Sequence, residues 1–129
     1  MPRLLLADDD EKMLEVMGQY LSWYGFEVTT LNQCEDIISL LEKKEYDLLV
    51  YNIFMERGGF NLCRSIRESA DPKLNRIGIM IFAPEPLEFD DYISLRQLRL
   101  YFINKYENIE EWIRKINLIL GLQKKRKSR

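Results

Sequence analysis

One run in this chain does not alternate. Leu48-Leu49-Val50-Tyr51-Asn52, entered from Asp47, is apolar at successive positions until its last residue. A strand sends successive side chains to opposite faces, so a run apolar throughout must be covered on both sides. That requirement points to a central strand of a parallel sheet with helices on each face. The rest of the chain supplies such a sheet. Leu4-Leu5-Leu6-Ala7 is a short apolar run. Met13, Leu14, Met17, Tyr20, Leu21 and Tyr24 recur at helical spacing, and Gly25 is expected to stop that helix. Phe26 to Thr30 alternates like a half-buried strand, and Asn32 is placed to cap a helix with Ile37, Ile38 and Leu41 inward.

Gly58-Gly59 then breaks the chain before a helix over Phe60 to Glu68. Asp71-Pro72 reads as a turn, Ile77 to Phe82 as a fourth strand, and Phe89 to Arg99 as a fourth helix. Leu100 to Ile103 is the fifth strand. Ile109, Trp112, Ile113, Ile116, Ile119 and Leu120 mark a fifth, amphipathic helix, with Gly121 expected to close it. Five strands alternating with helices make a doubly wound α/β domain. In such sheets the site lies beyond the carboxyl ends of the strands, where strand order reverses. Asp8-Asp9, Asn52, Phe82 and Lys105 all fall at those ends.

Composition bounds the function. At 129 residues the chain suits one core, expected over residues 1–122, with 123–129 a basic tail or the start of a linker. No apolar run is long enough to span a membrane, and Met1-Pro2-Arg3-Leu4 lacks the order of an export signal. Cys34 and Cys63 match no metal or redox spacing and read as buried thiols of a cytoplasmic protein. There is no histidine, which removes the commonest general base and metal ligand. Net charge is −2, but five of the 19 positive charges lie in the last six residues. The body therefore carries 14 positive against 21 negative charges, a net of −7. An acidic body argues against nucleic-acid binding by the domain itself.

The order and spacing of these pieces resemble the receiver domain of bacterial response regulators, the phospho-acceptor module of two-component signalling, over about residues 3 to 121. Leu4 to Asp10 is similar to that family's first strand and acidic pair, Phe60 to Arg67 to its third helix, and Phe102-Ile103-Asn104-Lys105 to its fifth strand and lysine. The resemblance implies a flavodoxin-like sheet of order 2-1-3-4-5 and no enzyme activity of its own. It also implies a metal set of Asp8, Asp9, the residue at position 52 and the backbone carbonyl of Phe54, with switch residues at positions 82, 102 and 105.

Four departures stand out. Asn52 is an amide at the acceptor position. Phe82 lacks the expected hydroxyl, and Phe102 keeps the aromatic it would couple to. Glu56 and Tyr106 stand where prolines are usual. A carboxylate can attack phosphorus, whereas a neutral amide cannot do so at a useful rate. Phosphotransfer from a histidine kinase is therefore not expected. No cofactor is required, and any Mg²⁺ binding is expected to be weak. The expected role is phosphorylation-independent contact with a signalling partner, or self-association, through the face of the fourth helix, fifth strand and fifth helix. Tyr92, Arg96 and Trp112 are its candidate contacts. Two alternatives are a metal-binding receiver phosphorylated at Asp8, Asp9 or a hydroxyl residue, and a small-ligand domain using the pocket.

Overall fold

The structure, a computed structural model, describes residues 1–127. Five strands form one parallel sheet in the order β2-β1-β3-β4-β5. They are β1 Arg3–Ala7, β2 Glu27–Leu31, β3 Leu48–Asn52, β4 Gly78–Ala83 and β5 Tyr101–Asn104. Around them run α1 Glu11–Trp23, α2 Ile37–Lys43, α3 Phe60–Glu68, α4 Pro72–Asn75, α5 Phe89–Leu98 and α6 Ile109–Lys127. The doubly wound order expected from the sequence is the one observed.

β3 is buried at every residue and pairs with β1 on one side and β4 on the other. Alternate side chains sort into two layers. Leu5, Leu49, Tyr51, Ile79 and Ile81 pack with Ile37 and Leu41 of α2, Cys63 and Ile66 of α3, Leu74 of α4 and Leu98 of α5. Leu4, Leu6, Val50, Met80, Phe82 and Ile103 pack with Leu14 and Leu21 of α1 and Trp112, Ile116 and Ile119 of α6. Each aliphatic side chain so buried contributes about 1.5–3 kcal/mol, so the two layers, with β3 shared between them, carry most of the stability.

Gly25 ends α1 with a φ of 97°, the left-handed conformation that favours glycine. Gly58 serves a different need. A Cβ there would overlap the Tyr51 hydroxyl and sit 2.7 Å from Cys34 Sγ, so the loop after β3 passes over this buried cluster only as glycine. Both cysteines are buried thiols.

Several local expectations change. Asn32 caps no helix; its Nδ2 donates to Glu11 Oε1 at 3.0 Å, and a 3-10 turn over Cys34–Asp36 leads into α2 instead. Asp71-Pro72 opens the short helix α4, with the Asp71 side chain accepting from the Lys73 N–H at 2.9 Å and Pro72 in the first turn. Gly121 does not close α6. The helix runs on to Lys127 because Gln123 is buried and donates from Nε2 to the Arg76 carbonyl at 2.9 Å, beside the start of β4. The expected break between residues 122 and 123 therefore falls inside a packed helix. Of the basic segment 124–129, Ser128 and Arg129 lie outside the described residues. No helix among the described residues is long and apolar enough to cross a membrane.

Candidate functional site

β1 delivers Asp8 to the carboxyl end of the sheet, where its N–H donates to the Leu31 carbonyl at 3.1 Å and its side chain is wholly buried. Two residues on, Asp10 caps α1 by accepting from the Met13 N–H at 3.1 Å. The turn between them is closed by the Asp10 N–H, which donates to Asp8 Oδ1 at 3.1 Å. β3 ends on Asn52. Its Nδ2 donates to Asp8 Oδ1 at 2.9 Å, while its Oδ1 accepts from the Phe54 N–H at 2.9 Å. Only this amide orientation satisfies both bonds; the reverse would set oxygen against carboxylate and NH₂ against N–H.

β5 brings Lys105, whose N–H donates to the Ala83 carbonyl at 2.8 Å. Its ammonium lies 3.2 Å from Asp8 Oδ2 and 3.2 Å from Asp10 Oδ2. The hydrogen bond goes to Asp10, whereas the contact with Asp8 Oδ2 is one of charge, and that oxygen accepts no hydrogen bond among the described residues. Burial alone would lower the Lys105 pKa. The Asp10 hydrogen bond and the charges of Asp8 and Asp10 outweigh it and hold the ammonium above its ordinary range. The Asp10 carboxyl is held below its ordinary value, first by the Met13 N–H and then by Lys105. Two carboxylates, one ammonium and one amide are thus turned on one another, with Asp8 Oδ2 met by charge alone.

Mg²⁺, the ion the resemblance implies, takes hard oxygen donors in a near-octahedral shell. These residues do not fit it. Asn52 turns its N–H groups toward Asp8, and its one oxygen is engaged by Phe54. Asp8 Oδ1 already accepts two bonds, and Asp8 Oδ2 faces the Lys105 ammonium. Phe54 enters the cluster through its N–H, and its ring is exposed.

The other sequence candidates separate. Asp9 is exposed and lines a neighbouring cleft with Glu35, Glu56 and Arg57. Asp10, not Asp9, is the second carboxylate of the acidic run that reaches the cluster, where it meets Lys105; its place at the helix cap was the available signal. Phe82 pairs in register with Asn52 but buries its ring under α6, edge-on to Trp112 with centroids 5.2 Å apart at 60°. Phe102 is half-buried on the opposite face of the sheet, so the two switch positions lie in different layers. Tyr92 and Arg96 are exposed on α5. Trp112 is a correction: it is wholly buried against Phe82 and offers no surface to a partner.

The sequence profile of the response regulator receiver domain matches residues 4–116. The chain belongs to the response regulator receiver family. The receiver is similar to the heme response regulator HssR of Staphylococcus saprophyticus, 27% identical over 121 residues that cover 93% of this chain and 52% of that protein. Its likeness to the transcriptional regulatory protein GltR of Pseudomonas aeruginosa is 28% over 118 residues, covering 91% and 48%. The receiver spans about half the length of these curated relatives. Its fold matches the CheY-like receiver domain protein of Methanospirillum hungatei with a TM-score of 0.87 at 18% identity, covering 98% of each chain.

Proposed function

We propose that this receiver is an atypical one, acting through phosphorylation-independent protein–protein contact in two-component signalling. The observation that carries the reading is the amide of Asn52, held between Asp8 and the Phe54 N–H where the family resemblance puts a nucleophilic carboxylate. An amide offers phosphorus no competent nucleophile. Two further features support it. Phe82 brings no hydroxyl and packs into the core against Trp112. Lys105 is already committed to Asp8 and Asp10. The reading requires no metal and no cofactor, and it places the protein in the cytoplasm, where two-component relays operate and buried thiols stay reduced.

The working surface in this reading is the face of α5, β5 and α6. Tyr92 is 54% exposed there, beside Arg96, and aromatic and arginine side chains suit the centre of a contact patch. A signalling protein or a second copy of the chain is the partner it fits.

The deciding experiment is incubation with acetyl phosphate and Mg²⁺, followed by intact mass and peptide mapping. No phosphoryl gain is expected. A phosphoryl group mapped to the Asn52 peptide would overturn the reading. One on Asp8, Asp9 or a hydroxyl residue would replace it with a receiver that still takes phosphate elsewhere.

A further inference from the structure

β2 is an edge strand, with β1 on one side and no strand on the other. Two hydrogen bonds fix which of its backbone groups are used. The Glu27 N–H donates to the Pro2 carbonyl at 2.9 Å, and the Leu31 carbonyl accepts from the Asp8 N–H at 3.1 Å. Successive residues of a parallel strand serve opposite neighbours. Glu27, Thr29 and Leu31 therefore bond to β1, while Val28 and Thr30 turn their N–H and carbonyl groups outward. Natural edges are blunted by proline, lysine or a bulge. Val28 to Leu31 has none of these, and its register with β1 is unbroken.

The side chains of Val28 and Thr30 line a groove between β2 and α1. Its helix wall is polarised. Glu11 and Glu15 stand at the Thr30 end, beside Asn32, and Trp23 stands at the Val28 end. Gly18 lies between them, facing the Thr30 methyl, and leaves the groove open there. Trp23 is 85% exposed, a large apolar surface of the kind that marks a contact site. Glu11 accepts from Asn32 Nδ2 at 3.0 Å, and Glu15 has no ion-pair partner among the described residues. The one cation of α1, Lys12, is exposed next to Glu11 and does not line the groove. Arg3, at the start of β1, is taken by Glu27 at 3.2 Å. One end of the groove is thus acidic and the other aromatic.

We infer that the β2 edge receives an extended, basic segment of a partner protein, added to the sheet as a further strand. Residues of the segment opposite Val28 and Thr30 exchange backbone hydrogen bonds with them. Residues opposite one another in a strand pair share a face, so the same two side chains enter the groove. A lysine or arginine suits Glu11 and Glu15, and an apolar side chain suits Trp23. Antiparallel addition is the slightly stabler pairing. It reads basic–x–apolar from the amino to the carboxyl end of the segment. The site lies at the opposite edge of the sheet from β5. It depends neither on the phosphorylation reading nor on the contact face of α5, β5 and α6.

Titration of the 129-residue chain with the end-capped peptide Thr-Thr-Arg-Thr-Val-Thr-Thr, followed by proton–nitrogen NMR, tests it. A Kd below about 1 mM is expected, with the largest shifts at the Val28 and Thr30 amides and the Trp23 indole. The same peptide N-methylated at its arginine loses a strand hydrogen bond and should bind about tenfold more weakly. Thr30→Pro should weaken the unmodified peptide as much. The Thr30 N–H takes no part in the β1 ladder, so proline is compatible with this edge. Glu15→Lys should cost the arginine peptide about tenfold and favour a peptide with glutamate in its place. Far-UV circular dichroism verifies folding, and if Thr30→Pro unfolds, the N-methylated peptide decides. No shifts at about 1 mM peptide overturn the inference, as do equal binding of the N-methylated peptide or shifts confined to α5 and α6. Shifts of the Val28 and Thr30 amides that appear on concentrating the chain alone assign the edge to a second copy and also overturn it. The proposed function stands or falls separately, since phosphoryl uptake is read by mass.

Discussion

Lys105 and Arg67 are both cations drawn into the fold, and they differ in what receives them. Lys105 ends among carboxylates, 3.2 Å from Asp8 and from Asp10, with its side chain 12% exposed. Arg67, in α3, donates only to backbone carbonyls among the described residues. It donates to Ile77 at 2.6 Å, Leu98 at 2.7 Å, Arg99 at 3.2 Å and Asn75 at 3.4 Å. Carboxylates raise the lysine pKa, while burial lowers the arginine to about 10, which still leaves it charged at neutral pH. The first arrangement is a nearly compensated cluster whose members can exchange partners. The second is a brace that holds the turn after α4 to the turn after α5. Planar guanidinium geometry suits it, because several donors must reach carbonyls from two separate turns.

The largest effect is expected at the brace. Arg67→Met removes donors from four carbonyls and should cost about 3 kcal/mol, read as a lower urea midpoint. Arg67→Lys should recover less than half, since an ammonium cannot match the fork. If both variants keep the wild-type midpoint, the brace is decorative and the contrast with Lys105 collapses.

At the cluster, Asn52→Asp replaces an N–H donor with a carboxylate against Asp8. Without metal it should lose about 1–2 kcal/mol. Because it supplies the missing anionic oxygen, it should regain stability in about 10 mM Mg²⁺, with an upward thermal shift the wild type lacks. A wild-type shift as large as the variant's would show that the amide site accepts the ion after all.

Alkaline pH separates the two cations more finely. The folded pKa of Lys105 lies above its ordinary value of 10.5, so its contribution is fully present below that pH and is lost as pH rises through the folded value. The stability gap between wild type and Lys105→Met should be constant from neutral pH to about 10 and shrink above 10.5. A gap unchanged at high pH would mean that the lysine acts through packing alone.

The smallest expected effect is on Asp10. Its folded pKa lies below 3.8, so its contribution is present above that value and is lost as pH falls through the folded one. In Lys105→Met the Asp10 pKa should rise but stay below 3.8, because the Met13 N–H, its larger cause, remains. Carboxyl-carbon NMR titration measures it, and a value at or above 3.8 would make Lys105 the dominant partner.

Trp112 shows where a sequence argument about surfaces fails. Aromatics between Phe82 and Trp112 are dense, and density alone does not say which face each one takes. Tyr92 turned outward on α5, whereas Trp112 turned in beneath α6 to meet Phe82. The position of Trp112 in the apolar repeat of its own helix, with Ile116 and Ile119, already placed it inward.

By itself the sequence determined the sheet and the end of it that matters. An apolar run without alternation has one stable setting, between two helical layers, and β3 occupies it. Parallel strands all point one way, so residues closing β1, β3 and β5 had to meet at one rim, as Asp8, Asn52 and Lys105 do. Tertiary structure alone decided which partners these residues took. Asp10 rather than Asp9 received Lys105, across 95 residues of chain, because the cap of α1 turns that side chain toward the ammonium. α6 ran past Gly121 because Gln123 found the Arg76 carbonyl. The amide of Asn52 took the one orientation that satisfies Asp8 and Phe54 together. Periodicity and caps are local properties that a sequence displays, while a hydrogen-bond partner depends on where distant backbone arrives, which is settled only when the core packs.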